Sequence, residues 1–419
     1  MTLAWEQYFS ERALGMKASG IREFFKLTER PDIISFAGGF PSAAFFPGEA
    51  IMGRLQEMME EEADIALQYG PTEGSAQLRQ YLAAKMTREG IASAAEEDIL
   101  ITNGSQQGLD LLCKILLNPG DAVFVEEPGY VGGLGAIHNY QGDFHPIPLD
   151  GDGLRTDLLE RELAALARRG RKAKFVYLVP NFQNPTGATL SLLRRVKILE
   201  LADKYDFLII EDNPYGELRY SGYPLPSMKS LDREGRVIYL GSFSKTFVPG
   251  IRLGWVVADQ DLVHRLISAK QGTDLCSNSL SQRLVYSCCT NGFIDDHVQS
   301  LVEKYREKRD LMLSAMGKYF PRGCAWTRPN GGFFVWVTFP EPLKAREILL
   351  KALERKVAFV DGAGFYVNEK GENTARFAFS EAKPEEITTG LERLGRILHE
   401  EMKSRGHSEG YAKKAKKVS

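Results

Sequence analysis

Gly241-Ser242-Phe243-Ser244-Lys245-Thr246-Phe247-Val248-Pro249-Gly250-Ile251-Arg252-Leu253-Gly254 follows one apolar run, Val237–Leu240, and leads into a second, Leu253–Ala258. Short apolar runs bounded by glycine and hydroxyl residues read as buried strands. The stretch therefore reads as strand, loop, strand, with one lysine among small polar side chains. A lysine just beyond a strand can reach into a cleft. Its amine can form an imine with an aldehyde where burial or nearby cations lower its pKa. Ser242, Ser244 and Arg252 offer two hydroxyls and one forked cation, a set suited to a phosphate. Taken alone, Lys245 is equally compatible with a surface loop.

Runs of the same kind recur upstream at Asp98–Thr102, Ala122–Val125, Phe175–Val179 and Phe207–Ile210. Helix-period segments, among them Gln106–Leu117 and Leu190–Tyr205, lie between them. Strand–helix alternation predicts an α/β fold, a mostly parallel sheet covered on both faces. In such sheets ligands bind at the carboxyl ends of the strands. The polar residues of interest fall there.

Ile209-Ile210-Glu211-Asp212-Asn213-Pro214-Tyr215 ends a buried run in acids. Asp212 there can pair with a protonated ring nitrogen, and Tyr215 can donate to a ring oxygen. Asp212 could equally cap a helix. Val179-Pro180-Asn181-Phe182-Gln183-Asn184-Pro185-Thr186-Gly187 is a tight turn that can aim the Asn184 amide at the same oxygen. Thr102-Asn103-Gly104-Ser105-Gln106-Gln107 opens a helix after a strand. Its free N–H groups, with Gly104 and the Ser105 hydroxyl, suit a phosphate, or else Ser105 is ordinary capping. Tyr130, in Glu126-Glu127-Pro128-Gly129-Tyr130, can stack on a flat ring or simply pack. Five strand ends thus offer groups fitted to the phosphate, face, oxygen, nitrogen and aldehyde of one ligand.

Composition agrees with a globular protein. Of 419 residues, 43% are hydrophobic and 26% charged, with net charge −2. That balance argues against bulk nucleic-acid or anionic-membrane binding. No apolar run of about 18 residues predicts a spanning helix. The five cysteines form no C-x-x-C pair and the six histidines no zinc-type cluster, so idle thiols in a cytoplasmic protein and no metal are expected. The length predicts two domains. The expected division is an N-terminal arm over 1–50, a large domain over 51–295, a smaller α+β domain over 296–404 and a frayed tail over 405–419. The smaller domain would hold a helix over Asp295–Tyr319, β segments at Gly331–Phe339 and Ala375–Ser380, and a final helix over Pro384–Met402.

Ser242–Gly254 closely resembles the lysine signature of the class I, fold type I aminotransferases that use pyridoxal 5′-phosphate (PLP). Asn184-Pro185-Thr186-Gly187 and Asp212-Asn213-Pro214-Tyr215 resemble two further motifs of that family, in its order and spacing. The resemblance implies a seven-stranded, mostly parallel sheet between helices. It also implies roles. Lys245 would hold the cofactor as a Schiff base and carry the proton. Asp212 would hold the pyridine nitrogen, Tyr215 and Asn184 the ring oxygen, and Tyr130 the ring face. Gly104, Ser105, Gln106, Ser242, Ser244 and Arg252 would hold the phosphate. Tyr69 would reach the phosphate of a partner subunit in a homodimer. Arg376 would take the substrate α-carboxylate, beside Asn184.

Gly20-Ile21-Arg22-Glu23 and Ile34-Ser35-Phe36-Ala37-Gly38-Gly39-Phe40-Pro41 resemble the 2-aminoadipate and kynurenine aminotransferases. There an N-terminal segment covers the substrate, so Arg22 would meet a distal carboxylate and the Gly39 backbone the substrate. The implied activity is ping-pong transfer of an α-amino group from an L-amino acid of the 2-aminoadipate, aromatic or branched-chain type to a 2-oxo acid such as 2-oxoglutarate. Alternatives are β-elimination or decarboxylation on the same scaffold, or an effector-sensing regulator. The last would need a DNA-binding domain, and only about 30 residues precede Ile33.

Overall fold

The computed structural model describes residues 4–16, 32–91, 94–368 and 370–405. Its main sheet has strands in the order Ile99–Thr102, Gly254–Val257, Val237–Ser242, Leu208–Asp212, Ala173–Leu178, Ala122–Glu127, Asp143–Asp150 and Gly153–Leu154. Neighbours from Val237–Ser242 to Asp143–Asp150 pair in parallel. Gly254–Val257 runs antiparallel to both its neighbours. The six strands read from apolar runs are present; Asp143–Asp150, not among them, makes up the seven implied by the resemblance, and the two-residue Gly153–Leu154 adds an eighth at the edge.

Strand residues alternate between faces, and both faces are dry. Val125, Phe175, Tyr177, Ile210 and Leu240 join the cluster that includes Leu109 and Leu112 of the Ser105–Leu116 helix. Phe124, Val176, Leu178 and Ile209 join Leu159, Ile198 and Leu201, from the Thr156–Arg168 and Leu192–Tyr205 helices. Full burial of such a side chain contributes roughly 1.5–3 kcal/mol, several times any helix-propensity difference. Sheet burial therefore decides where these helices lie.

A second, antiparallel sheet orders Ala325–Trp326, Phe334–Thr338, Thr374–Ala378 and Val360–Asp361. Ile34–Ser35 pairs in parallel with Val357–Ala358, and Ala378 N donates to Phe36 O at 2.8 Å. These bonds lay Ala37–Gly39 across the strand that carries Arg376. The helix expected from Asp295 starts at Phe293 and ends at Tyr319, and the last helix runs Pro384–Ser404. The boundary expected at 295/296 falls inside the Phe293–Tyr319 helix, whose Val298 joins the cluster of Ile101 and Trp255, and whose Met312 and Met316 join the cluster that runs from the large sheet to Val335 and Phe377 of the smaller one. Residues 17–31, with Arg22, and 406–419 of the expected tail lie outside the described residues. No helix among the described residues is long and apolar enough to cross a membrane.

A polar chain ties the large-sheet strand ends together. Arg195 is fully buried and donates to Leu190 O, Pro226 O, Pro180 O and Asn181 Oδ1. Asn181 Nδ2 donates to Asn213 Oδ1 at 2.9 Å, and Asn213 Nδ2 to the Tyr239 hydroxyl at 3.0 Å. These are the loops that follow the Ala173–Leu178 and Leu208–Asp212 strands.

Candidate active site

Lys245 stands three residues past the Val237–Ser242 strand, and its Nζ donates to Gly39 O at 3.3 Å. Burial, then Arg252 and Arg376, lower its pKa to about 8, and Asp212 offsets part of that fall. Near physiological pH the amine is thus still mostly protonated, but its neutral, nucleophilic fraction is far larger than that of an ordinary lysine.

Asp212 ends its strand in the interior. Its Oδ2 accepts from the Tyr177 hydroxyl at 2.8 Å, while Oδ1 is buried with no hydrogen-bond partner among the described residues. Burial raises the carboxyl to about 6, against the Tyr177 hydrogen bond and Lys245, which both lower it. A buried acceptor left unmade costs about 1–3 kcal/mol, so Oδ1 is an open position for a donor.

Asn184 joins two further groups. Its side chain hydrogen bonds to the Tyr215 phenol, and its Oδ1 accepts from Arg376 NH1 at 3.0 Å. Burial holds Tyr215 well above its ordinary pKa, so the phenol keeps its proton. Arg376 NH2 donates to Ala37 O at 2.7 Å, and its guanidinium carbon lies 4.5 Å from the Phe334 ring centre and 5.1 Å from that of Phe365. Its Nε is buried without a partner among the described residues, and burial lowers its pKa to about 10. It remains a cation at neutral pH with no ion pair among the described residues, which suits a carboxylate ligand. A Cβ on Gly39 would come within 2.7 Å of the Phe334 ring, so glycine is required where the backbone enters.

The anion end lies where the Ser105–Leu116 helix begins. Its N-cap, Gly104, has φ 73° and supplies no side-chain cap. A Cβ there would sit 2.6 Å from Arg252 NH2. Arg252, itself left-handed at φ 53°, donates to Ser244 Oγ at 3.4 Å, and Ser244 N donates to Ser242 Oγ at 3.1 Å. The Gln106 side chain is used locally, donating to Gly132 O at 2.9 Å and accepting from the Tyr130 hydroxyl at 3.5 Å. Its backbone N–H is what remains for an anion. Guanidinium, hydroxyls and a helix start thus converge as a phosphate seat would need.

The structure brings together Lys245, Asp212, Asn184, Tyr215, Arg376 and Gly39, and seats Gly104, Ser105 and Gln106 beside Arg252, Ser242 and Ser244. Tyr69 is not brought in: it is 78% exposed and makes no side-chain hydrogen bond to the site. Sequence reasoning missed Tyr177, although its place between Phe175 and Val179 marks it as the one hydroxyl on that strand face. It also missed a partly buried support beside the proposed phosphate seat. Asp274 accepts from Asn103 Nδ2 and Gln107 Nε2, both at 2.6 Å, and from Lys270 Nζ at 2.7 Å. Gln107 Oε1 in turn accepts from Asn103 N at 2.8 Å. Asn103 and Asp274 stand 171 positions apart, so no local pattern links them.

These residues fit PLP. The open Asp212 Oδ1 suits a ring N–H, the Gly104–Arg252 seat a phosphate, and the Lys245 amine an aldehyde.

The family model for aminotransferase class I and II matches residues 32–394. Aromatic-amino-acid aminotransferase 1 of Thermococcus litoralis is 46% identical over 402 residues, 96% of each chain. The 2-aminoadipate transaminase of Thermus thermophilus is 40% identical over 94% of this chain and 98% of its own length. The crystal structure of Pyrococcus horikoshii kynurenine aminotransferase, in complex with PMP, superposes with a TM-score of 0.92 at 44% identity, covering 95% of this chain and 98% of that one. The chain belongs to the class I and II aminotransferases, PLP enzymes of fold type I.

Proposed function

We propose that this aminotransferase takes the α-amino group from L-amino acids of the aromatic, 2-aminoadipate or branched-chain type and passes it to 2-oxoglutarate. The observation that carries the reading is the lowered-pKa Lys245 amine close to Asp212, whose Oδ1 is open, and to Arg376, which has no ion pair among the described residues. Bound there, PLP supplies an aldehyde that condenses with amines and a cationic ring that withdraws electrons from the substrate α-carbon.

The chain's own residues do the rest. Asp212 keeps the ring nitrogen protonated, and Tyr177 keeps Asp212 ionised. Tyr215 and Asn184 donate to the ring oxygen. Arg376 takes the α-carboxylate in two parallel bonds and so fixes the α-proton toward Lys245. Lys245 Nζ would serve as the base that takes up this proton and as the acid that gives it back. Phe334 and Phe365 give the carboxylate end apolar walls, which supports aromatic and branched donors. Arg22 would serve the distal carboxylate of 2-aminoadipate. The names of the relatives support the same donor classes.

The proposal includes a homodimer with Tyr69 on the partner's phosphate, supported by the exposure of Tyr69, Leu67 and Ile65 along one segment. It also places the enzyme in the cytoplasm, consistent with five free cysteines.

Lys245→Ala is expected to lose transamination by at least about a thousandfold, together with the visible absorbance that borohydride removes. Unchanged transamination in that variant would overturn the assignment. A screen of aminoadipate, kynurenine, leucine and phenylalanine against 2-oxoglutarate tests the donor range.

A further inference from the structure

A second cavity, of about 820 Å³, opens at the seam between the two sheets. That volume is in the range of small-molecule sites. Thr186, Gly187 and Thr189 line it from the large-sheet side, and Arg328, Trp336 and Tyr366 from the other. Lys245, Asp212, Asn184 and Arg376 do not line it. It lies behind the Asn184–Gly187 turn, whose first residue faces the active site.

Arg219 is the partly buried cation of this cavity. Its segment bridges the two halves, pairing with Gly331. Its Nε is buried without a partner, and it takes part in no ion pair among the described residues. Burial lowers its pKa, and no acid offsets that fall. Its guanidinium carbon lies 4.7 Å from the Phe182 ring centre, which fixes its plane without neutralising it. A second orphan shares the cavity: the Thr189 hydroxyl oxygen is buried with no hydrogen bond. Arg328, exposed, adds a further charge with no ion pair among the described residues. The acids nearby are mostly engaged. Asp150 binds Arg194 at 2.7 Å and Glu127 binds Lys370 at 3.3 Å, which leaves the solvent-exposed Asp152. Tyr223, 90% exposed, adds an uncovered aromatic face.

The Arg219 guanidinium, with no ion pair among the described residues, the Thr189 hydroxyl and the open Tyr223 ring face define one ligand chemistry. We propose that this seam cavity binds a small carboxylate with a flat apolar body, held by Arg219 and Thr189 and stacked near Tyr223, apart from the substrate site. Binding there bridges the turn that holds Asn184 to the Arg328–Asn330 segment.

The test uses holoenzyme whose cofactor has been reduced onto leucine with borohydride, so that the Arg376 end is filled. Benzoate is titrated by calorimetry, with benzamide and inorganic phosphate as comparisons. Saturable benzoate binding is expected, with benzamide and phosphate each at least about tenfold weaker. Arg219→Gln should weaken benzoate about tenfold or more, and Arg219→Lys should weaken it less. Cofactor absorbance reports that each variant is folded. If Arg219→Gln does not fold, Thr189→Val and Arg328→Gln carry the same expectation. No saturable binding to the blocked enzyme, equal binding of benzamide or of phosphate, or indifference to these substitutions would overturn the proposal.

Discussion

Two titrating groups set the pH behaviour of the site, with opposite signs. Lys245 is lowered to about 8, so its neutral amine accumulates as pH rises through that value rather than through the ordinary 10.5. Cofactor-free enzyme should capture pyridoxal, which lacks the phosphate, at a rate that climbs through about pH 8 and then levels. Arg252→Gln removes a repelling cation and should move that rise to higher pH, read by stopped-flow absorbance. Asp212 is raised to about 6 and can pair with a ring cation only when ionised, so PLP affinity of the empty site should fall as pH drops through about 6. Tyr177→Phe removes the 2.8 Å hydrogen bond that holds this carboxyl down, so the fall should begin at higher pH. A fluorescence titration across pH 5–8 checks it, and coincident profiles would show that Tyr177 does not tune Asp212. Lys245, Asp212 and Asn184 could be singled out in the sequence because each sits in a local motif beyond or at the end of a strand, whereas Arg376, in the middle of Thr374–Ala378, was reached only through the family resemblance. Tyr177 was not singled out, because a hydroxyl in an apolar strand reads as packing until its neighbour across the sheet is known.

The phosphate seat is a property of an element, the start of the Ser105–Leu116 helix, and Asp274 holds that start from behind. Asp274→Ala strands Lys270 and frees Asn103. A lost hydrogen bond to a charged group is worth about 1.5–3 kcal/mol, so PLP should leave roughly ten- to a hundredfold faster. Pyridoxal capture by Lys245 should be unchanged, because it does not use the seat. Equal weakening of both would mean general destabilisation instead. The elements themselves were legible where burial on two faces wrote long apolar runs. Asp143–Asp150 escaped notice because it reads Asp-Phe-His-Pro-Ile-Pro-Leu-Asp, with two prolines. Over Asp143–Pro148 it pairs only with Ala122–Glu127 and so lies at an edge, where proline is tolerated.

At the scale of the whole molecule, Ile65, Leu67, Tyr69 and Met52 are each more than half exposed. Apolar groups this close together mark an association face. If Tyr69 completes a neighbour's phosphate seat, specific activity should fall on dilution in step with dissociation seen by sedimentation. Tyr69→Phe should weaken PLP without altering that dissociation. This level was least legible in the sequence alone, since an exposed tyrosine gives no local sign of what covers it.

The Arg195–Asn181–Asn213–Tyr239 chain has a mechanical consequence. It braces the strand ends beneath Asn184 and Asp212 with bonds that stay inside one half of the molecule. The bonds Lys245–Gly39 and Arg376–Asn184 instead cross to the other half. On the proposed roles of Lys245 and Arg376, an incoming amino acid would replace these crossing bonds and leave the bracing chain intact. Compliance would then fall on the side that must yield, and the ring-holding groups would keep their register while the substrate enters.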